Sequence, residues 1–124
     1  MSAIEKNHKV YVGIGSNINQ GIHIRACIKA LNNEFTNLEL SPTYESSSMG
    51  FDGPNFYNLV AVFGTKYDVI KLKKILNAIE RENGRSLGEV KFSSRTLDID
   101  ILYYDDLVDI DKNILGKKEI LLRK

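Results

Sequence analysis

With 124 residues, 43% of them hydrophobic, 27% charged and only two prolines, the chain has the make-up of one globular domain spanning residues 1–124, large enough for a core without disulfides or structural metal. Seventeen basic side chains against sixteen acidic ones exclude a basic nucleic-acid footprint and an acidic solvating tail. Single Cys27 excludes an internal disulfide and a cysteine-rich zinc site. The polar start Ser2–Lys9 and the lack of a long apolar run argue against a signal peptide or membrane span, so the expected compartment is the cytoplasm.

Residues 9–14 alternate, with Val10, Val12 and Ile14 on one side, as a strand does. Gly15-Ser16-Asn17 breaks that strand with turn chemistry. Over about 20–34, Ile24, Cys27, Ile28, Leu31 and Phe35 recur at helical spacing, which puts Cys27 in the core. Residues 38–47 read as an edge strand interrupted at Pro42. A loop follows at Met49-Gly50-Phe51-Asp52-Gly53-Pro54. Phe56 to Gly64 is then the clearest strand, with Tyr57, Leu59, Ala61 and Phe63 on one face and Phe56, Asn58, Val60 and Val62 on the other. Asp68 caps a second helix whose buried stripe is Val69, Leu72, Ile75, Leu76 and Ile79, and Asn83-Gly84 stops it. Residues 85–94 are a polar loop and 96–103 a strand. Asp105-Asp106 and Asp109–Asp111 mark turns, and Ile114–Leu122 fits no single element.

Strand, helix, strand, strand, helix, strand is the order of a ferredoxin-like βαββαβ sandwich, an α+β fold. A mostly antiparallel four-stranded sheet carries both helices on one face, leaving the other for loops and ligand. Such a fold says little about function by itself.

The chemistry concentrates in Arg95-Thr96-Leu97-Asp98-Ile99-Asp100-Ile101. Strand alternation sends Leu97, Ile99 and Ile101 into a core and leaves Asp98 and Asp100 together on the opposite face, roughly 6–7 Å apart. One reading is a solvated strand face. The other is a cation seat: magnesium takes one or two carboxylates plus substrate phosphates and waters, and a pair can bridge two ions. Arg95 stands beside them and suits a phosphate. Asn77 and Glu80 lie three apart on the second helix, about 60° apart on the flank of its apolar stripe, where a plain solvent face with Lys73 is the simpler reading. Arg85 follows the helix end, a common place for a basic residue. Asn58 is an amide among Phe, Val and Ala that needs partners, which the donor and acceptor edge of a heterocycle would supply. No GxGxxG and no Walker loop is present, His8 and His23 lack metal-ligand spacing, and no nucleophile–histidine set stands out.

These residues together resemble the 6-hydroxymethyl-7,8-dihydropterin pyrophosphokinase family of folate synthesis. The resemblance rests on Arg95 through Ile101, on Val12-Gly13-Ile14-Gly15-Ser16-Asn17, on Gly50 to Asn58, and on Asn77-Ala78-Ile79-Glu80 with Gly84-Arg85. It runs from about Lys9 to Ile110, and family members generally continue for some tens of residues beyond the position of Lys124. It implies transfer of pyrophosphate from ATP to the pterin hydroxymethyl group, with release of AMP. Asp98 and Asp100 would hold two magnesium ions, with Arg95 and Arg85 on phosphate. Asn77, Glu80, Arg95 and Ile101 would contact ATP. Met49, Phe56 (in place of a tyrosine), Asn58 and Phe92 (in place of a tryptophan, in a lid over 85–94) would form the pterin site. Ser93-Ser94 departs from the family's Gly-Pro, and Leu87 from its arginine. The implied partners are small molecules, with no nucleic acid and no membrane. Two other readings stay open: a catalytically weakened ATP- or pterin-binding relative, and a ferredoxin-like regulatory module.

Overall fold

The computed structural model describes residues 7–47, 53–84, 96–108 and 121–122. Its elements are β1 (His8–Ser16), α1 (Gln20–Glu34), β2 (Thr36–Leu40), β3 (Tyr44–Ser46), β4 (Phe56–Thr65), α2 (Val69–Glu82), β5 (Asp98–Tyr104), β6 (Leu107–Val108) and β7 (Leu121–Leu122). The strands form one sheet in the order β2-β4-β1-β5-β6-β7, with β3 also on β4. Every described pairing is antiparallel. The inner order β2-β4-β1-β5 around two helices is the expected ferredoxin-like α+β arrangement.

The sheet is larger than the four strands expected. Pro42, which cannot donate to a ladder, separates β2 from β3, and both pieces pair with β4. Asp105, at a left-handed φ of 55°, turns the chain from β5 into β6, which pairs with β7. β1 also runs through Ser16 instead of breaking at Gly15, because β4 flanks it to that point and β5 as far as Gly15. The loop over 85–94, the turn at Asp109–Asp111 and most of 114–122 lie outside the described residues.

Alternation decides which face is buried. Val10, Val12 and Ile14 of β1, Leu59, Ala61 and Phe63 of β4, and Ile99 and Ile101 of β5 pack under the helices, against Ile24, Cys27 and Leu31 of α1 and Leu72, Leu76 and Ile79 of α2. Phe35 stacks on Phe63 with centroids 4.1 Å apart. Cys27 is free and buried, as its helical position predicts. Asp68 caps α2 as expected, its Oδ1 accepting from the Lys71 N–H at 2.8 Å. Gly84, at φ 89°, takes the chain out of the helix. No helix among the described residues is long and apolar enough to cross a membrane.

Candidate active site on the open face of the sheet

The opposite face of the sheet carries Asn58, Asp98 and Asp100. Antiparallel register places Asn58 beside Gly15, and Gly15 beside Asp98. Tyr44 of β3 sits on the other side of Asn58. One row therefore crosses four strands as Tyr44, Asn58, Gly15, Asp98, and the adjoining row is Val60, Gly13, Asp100. Side chains of registered neighbours point the same way, so the polar residues of β4 and the acids of β5 face one space, with glycine between them. The Leu102 side chain lies over Gly13, 3.6 Å from where a Cβ there would stand, so the bare position between amide and acid is Gly15. A Cβ on Gly15 would lie 3.2 Å from Asn58 Oδ1 and 3.7 Å from the Phe56 ring, so any side chain there would intrude between the amide and the acid.

Asn58 finds a protein partner: its Nδ2 donates to Ser46 Oγ at 2.8 Å. The hydroxyl thereby fixes which end of the amide turns toward Gly15. Phe56 lies two residues along on the same side of β4, half-buried. The start of β4 is held by the Gly-Ser-Asn end of β1 and by the first residue of α1. Fully buried Asn17 donates from Nδ2 to the Pro54 carbonyl at 3.0 Å, and Gln20 Nε2 donates to the Asn55 carbonyl at 2.9 Å. These anchors, and Ser46, were not singled out as site residues by sequence reasoning. Their signal was the side-chain amide or hydroxyl beside a turn; what was missing was the register that brings the partners together.

On β5, Asp98 is half-buried, Asp100 exposed, and Ile99 between them buried in the core. Opposed faces for aspartates and isoleucines are what the alternation predicts. The register shifts just beyond, between Tyr11 and Val12, so β5 bulges at Leu102; bulges re-aim side chains and are common beside active sites. Ile101 is only 2% exposed, so its contribution to a ligand would come from the main chain.

Glu80 differs most from expectation. It is 6% exposed instead of lying on a solvent face, and its Oε2 accepts the Ile99 N–H at 2.7 Å. The reason is helical spacing: Glu80 continues the buried row Leu72, Leu76 by one further step of four, a signal present in the sequence. Asn77, three residues before it, is half-buried. Thr96, ahead of the aspartates, has a buried hydroxyl with no hydrogen-bond partner, close to the position a Cβ on Gly84 would take. Met49, Arg85, Phe92 and Arg95 lie outside the described residues.

Among the described residues no group of three or more His, Cys, Asp or Glu side chains forms a metal cage. Two carboxylates on one strand face are instead a donor set of the kind magnesium takes when phosphates and water complete its shell. The arrangement thus joins a hydrogen-bonding amide with a neighbouring aromatic, a glycine at position 15 between amide and acid, and a carboxylate pair of the kind a phosphate-bound dication takes.

The sequence matches the family described as 7,8-dihydro-6-hydroxymethylpterin-pyrophosphokinase over residues 11–123. It is 36% identical over 109 residues to the 2-amino-4-hydroxy-6-hydroxymethyldihydropteridine pyrophosphokinase of Pseudomonas aeruginosa, covering 84% of this chain and 67% of that protein. The protein of the same name from Haemophilus influenzae is 36% identical over 99 residues, covering 76% and 61% of the two chains. That from Aquifex aeolicus is 38% identical over 103 residues, covering 80% and 62%. The matched stretch thus spans roughly two thirds of each relative's length.

Proposed function

The chain belongs to the 7,8-dihydro-6-hydroxymethylpterin-pyrophosphokinase family, and from that membership and the open-face geometry we infer that it transfers pyrophosphate from ATP to 6-hydroxymethyl-7,8-dihydropterin in folate biosynthesis. The hydroxymethyl oxygen bonds to the β-phosphorus of ATP, the bond from that phosphorus to the oxygen bridging the α-phosphate breaks, and AMP leaves with the bridging oxygen. The hydroxyl proton passes to solvent. The observation that carries this reading is the row Asn58, Gly15, Asp98, which sets a heterocycle-binding amide beside a metal-type acid across a glycine.

Asn58 and Phe56 receive the pterin, together with Met49 and Phe92. Asn77, the Ile101 main chain and the α2 end with Glu80 form the nucleotide side. Arg95 and Arg85 carry phosphate charge. Asp98 and Asp100 would hold two magnesium ions, which when bound would supply charge neutralisation on the phosphate oxygens. The work of the chain is then positioning and electrostatics more than acid–base chemistry. Residues 1–124 act as one domain of this kind on small-molecule substrates, and the cytoplasm is the expected compartment.

The deciding measurement is AMP release with ATP, magnesium and the hydroxymethyl-dihydropterin, each omitted in turn. AMP is expected only when all three are present. Asp98→Ala should lower the rate by at least about 100-fold, the scale on which a stabiliser of developing charge acts, with an unchanged circular dichroism spectrum. Release without pterin, or turnover retained in Asp98→Ala, would sink the reading.

A further inference from the structure

The residue between the two aspartates is held from behind. Asp98 and Asp100 stand opposite Gly15 and Gly13 of β1, and β6 pairs with β5 only at Tyr103 and Tyr104. The Ile99 N–H therefore projects from an edge of β5 that no described strand covers. Water ordinarily satisfies such an edge group. Here Glu80 does so at 2.7 Å, from a position 6% exposed on α2. Burying a carboxylate costs several kcal/mol unless it is hydrogen-bonded, and a charge-assisted bond to a main-chain donor is among the stronger ones. The bond ties the strand's main chain to a helix whose own start is capped by Asp68 and whose stripe is locked into the core.

Resting on the reading of Asp98 and Asp100 as a metal seat, we propose that Glu80 is a positioning residue: it clamps Ile99 to α2 and so holds the two flanking aspartates at a metal-competent spacing. With its outer edge unclamped, the first half of β5 could twist about Ile99 and move the two carboxylates independently. The clamp removes that freedom before any ligand arrives.

The test uses the full chain and Mn2+ alone, followed by electron paramagnetic resonance, with amide exchange at Ile99 read in parallel. Glu80→Met fills similar space without an acceptor, with a loss of stability for the Ile99 N–H it leaves unpaired; Glu80→Gln keeps an acceptor oxygen. Glu80→Met should weaken Mn2+ binding by at least about 10-fold, the usual consequence of losing an outer partner of metal ligands, and speed exchange at Ile99 while melting as a folded protein. Glu80→Gln should restore both properties to near the unsubstituted chain. Mn2+ affinity unchanged in Glu80→Met overturns the proposal, as does a Glu80→Gln no better than Glu80→Met, or an unsubstituted chain that binds no Mn2+. A chain that binds Mn2+ yet releases no AMP sinks the transfer reaction but leaves this inference standing, so the two fail separately.

Discussion

Gly15 has neighbours on both sides, Asn58 and Asp98, and owes its place to having no side chain. Gly15→Ala puts a methyl 3.2 Å from Asn58 Oδ1, a contact the amide relieves only by moving a few tenths of an ångström. The expected result is a KM for the pterin raised about 10-fold, the worth of one misaligned hydrogen bond, with kcat and the KM for ATP nearly unchanged. Steady-state kinetics checks this, and equal loss in both substrates would contradict it. Ser46→Ala removes the partner of the same amide at 2.8 Å and should raise the same KM, with Ser46→Thr recovering it. Asn58 was legible in the sequence as an amide among apolar residues. Ser46 was not, because the pairing of β3 with β4 is a long-range register that local spacing does not encode.

Helix α2 is the element whose ends the sequence wrote most plainly. Asp68→Ala deletes the bond to the Lys71 N–H and should cost about 1 kcal/mol. Gly84→Ala meets nothing closer than Thr96 at 3.9 Å, but φ of 89° is strained for any L side chain, so a further loss of roughly 1–2 kcal/mol follows from backbone conformation alone. Urea midpoints of the two variants test both values. The interior of the same helix was harder to read. A lone glutamate next to an apolar stripe looks like solvent-facing charge; its step of four from Leu76 hints at burial, and the approach of the β5 edge supplies the partner that makes burial stable. The open edge of β5 likewise could not be located before the sheet order was known.

At the scale of the whole molecule, burial pushes the Cys27 thiol from 9.0 up to about 12, with the negative charge of Glu80 adding to the effect. Burial also lifts the Tyr104 phenol from 10.0 to about 12, helped by Asp105 and then Asp68. Both groups are neutral when protonated, so the unfolded chain releases these protons first. Their contribution to stability is complete below about pH 9 and is lost as the pH rises toward about 12. Thermal melts should show stability falling across that window, and Cys27 should resist alkylation at pH 8 until the chain unfolds. A thiol that reacts freely in the folded protein would contradict the buried placement. The sequence by itself determined the two helices, the main strands, their buried faces and the common face of Asp98 and Asp100, because each follows from a period of 2 or 3.6 residues and from local cap chemistry. Only the tertiary structure decided that Asn58, Gly15 and Asp98 form one row and that Glu80 stands behind Ile99. Those relations join residues far apart in the chain, and strand order, register and helix docking are settled by burial of the whole core.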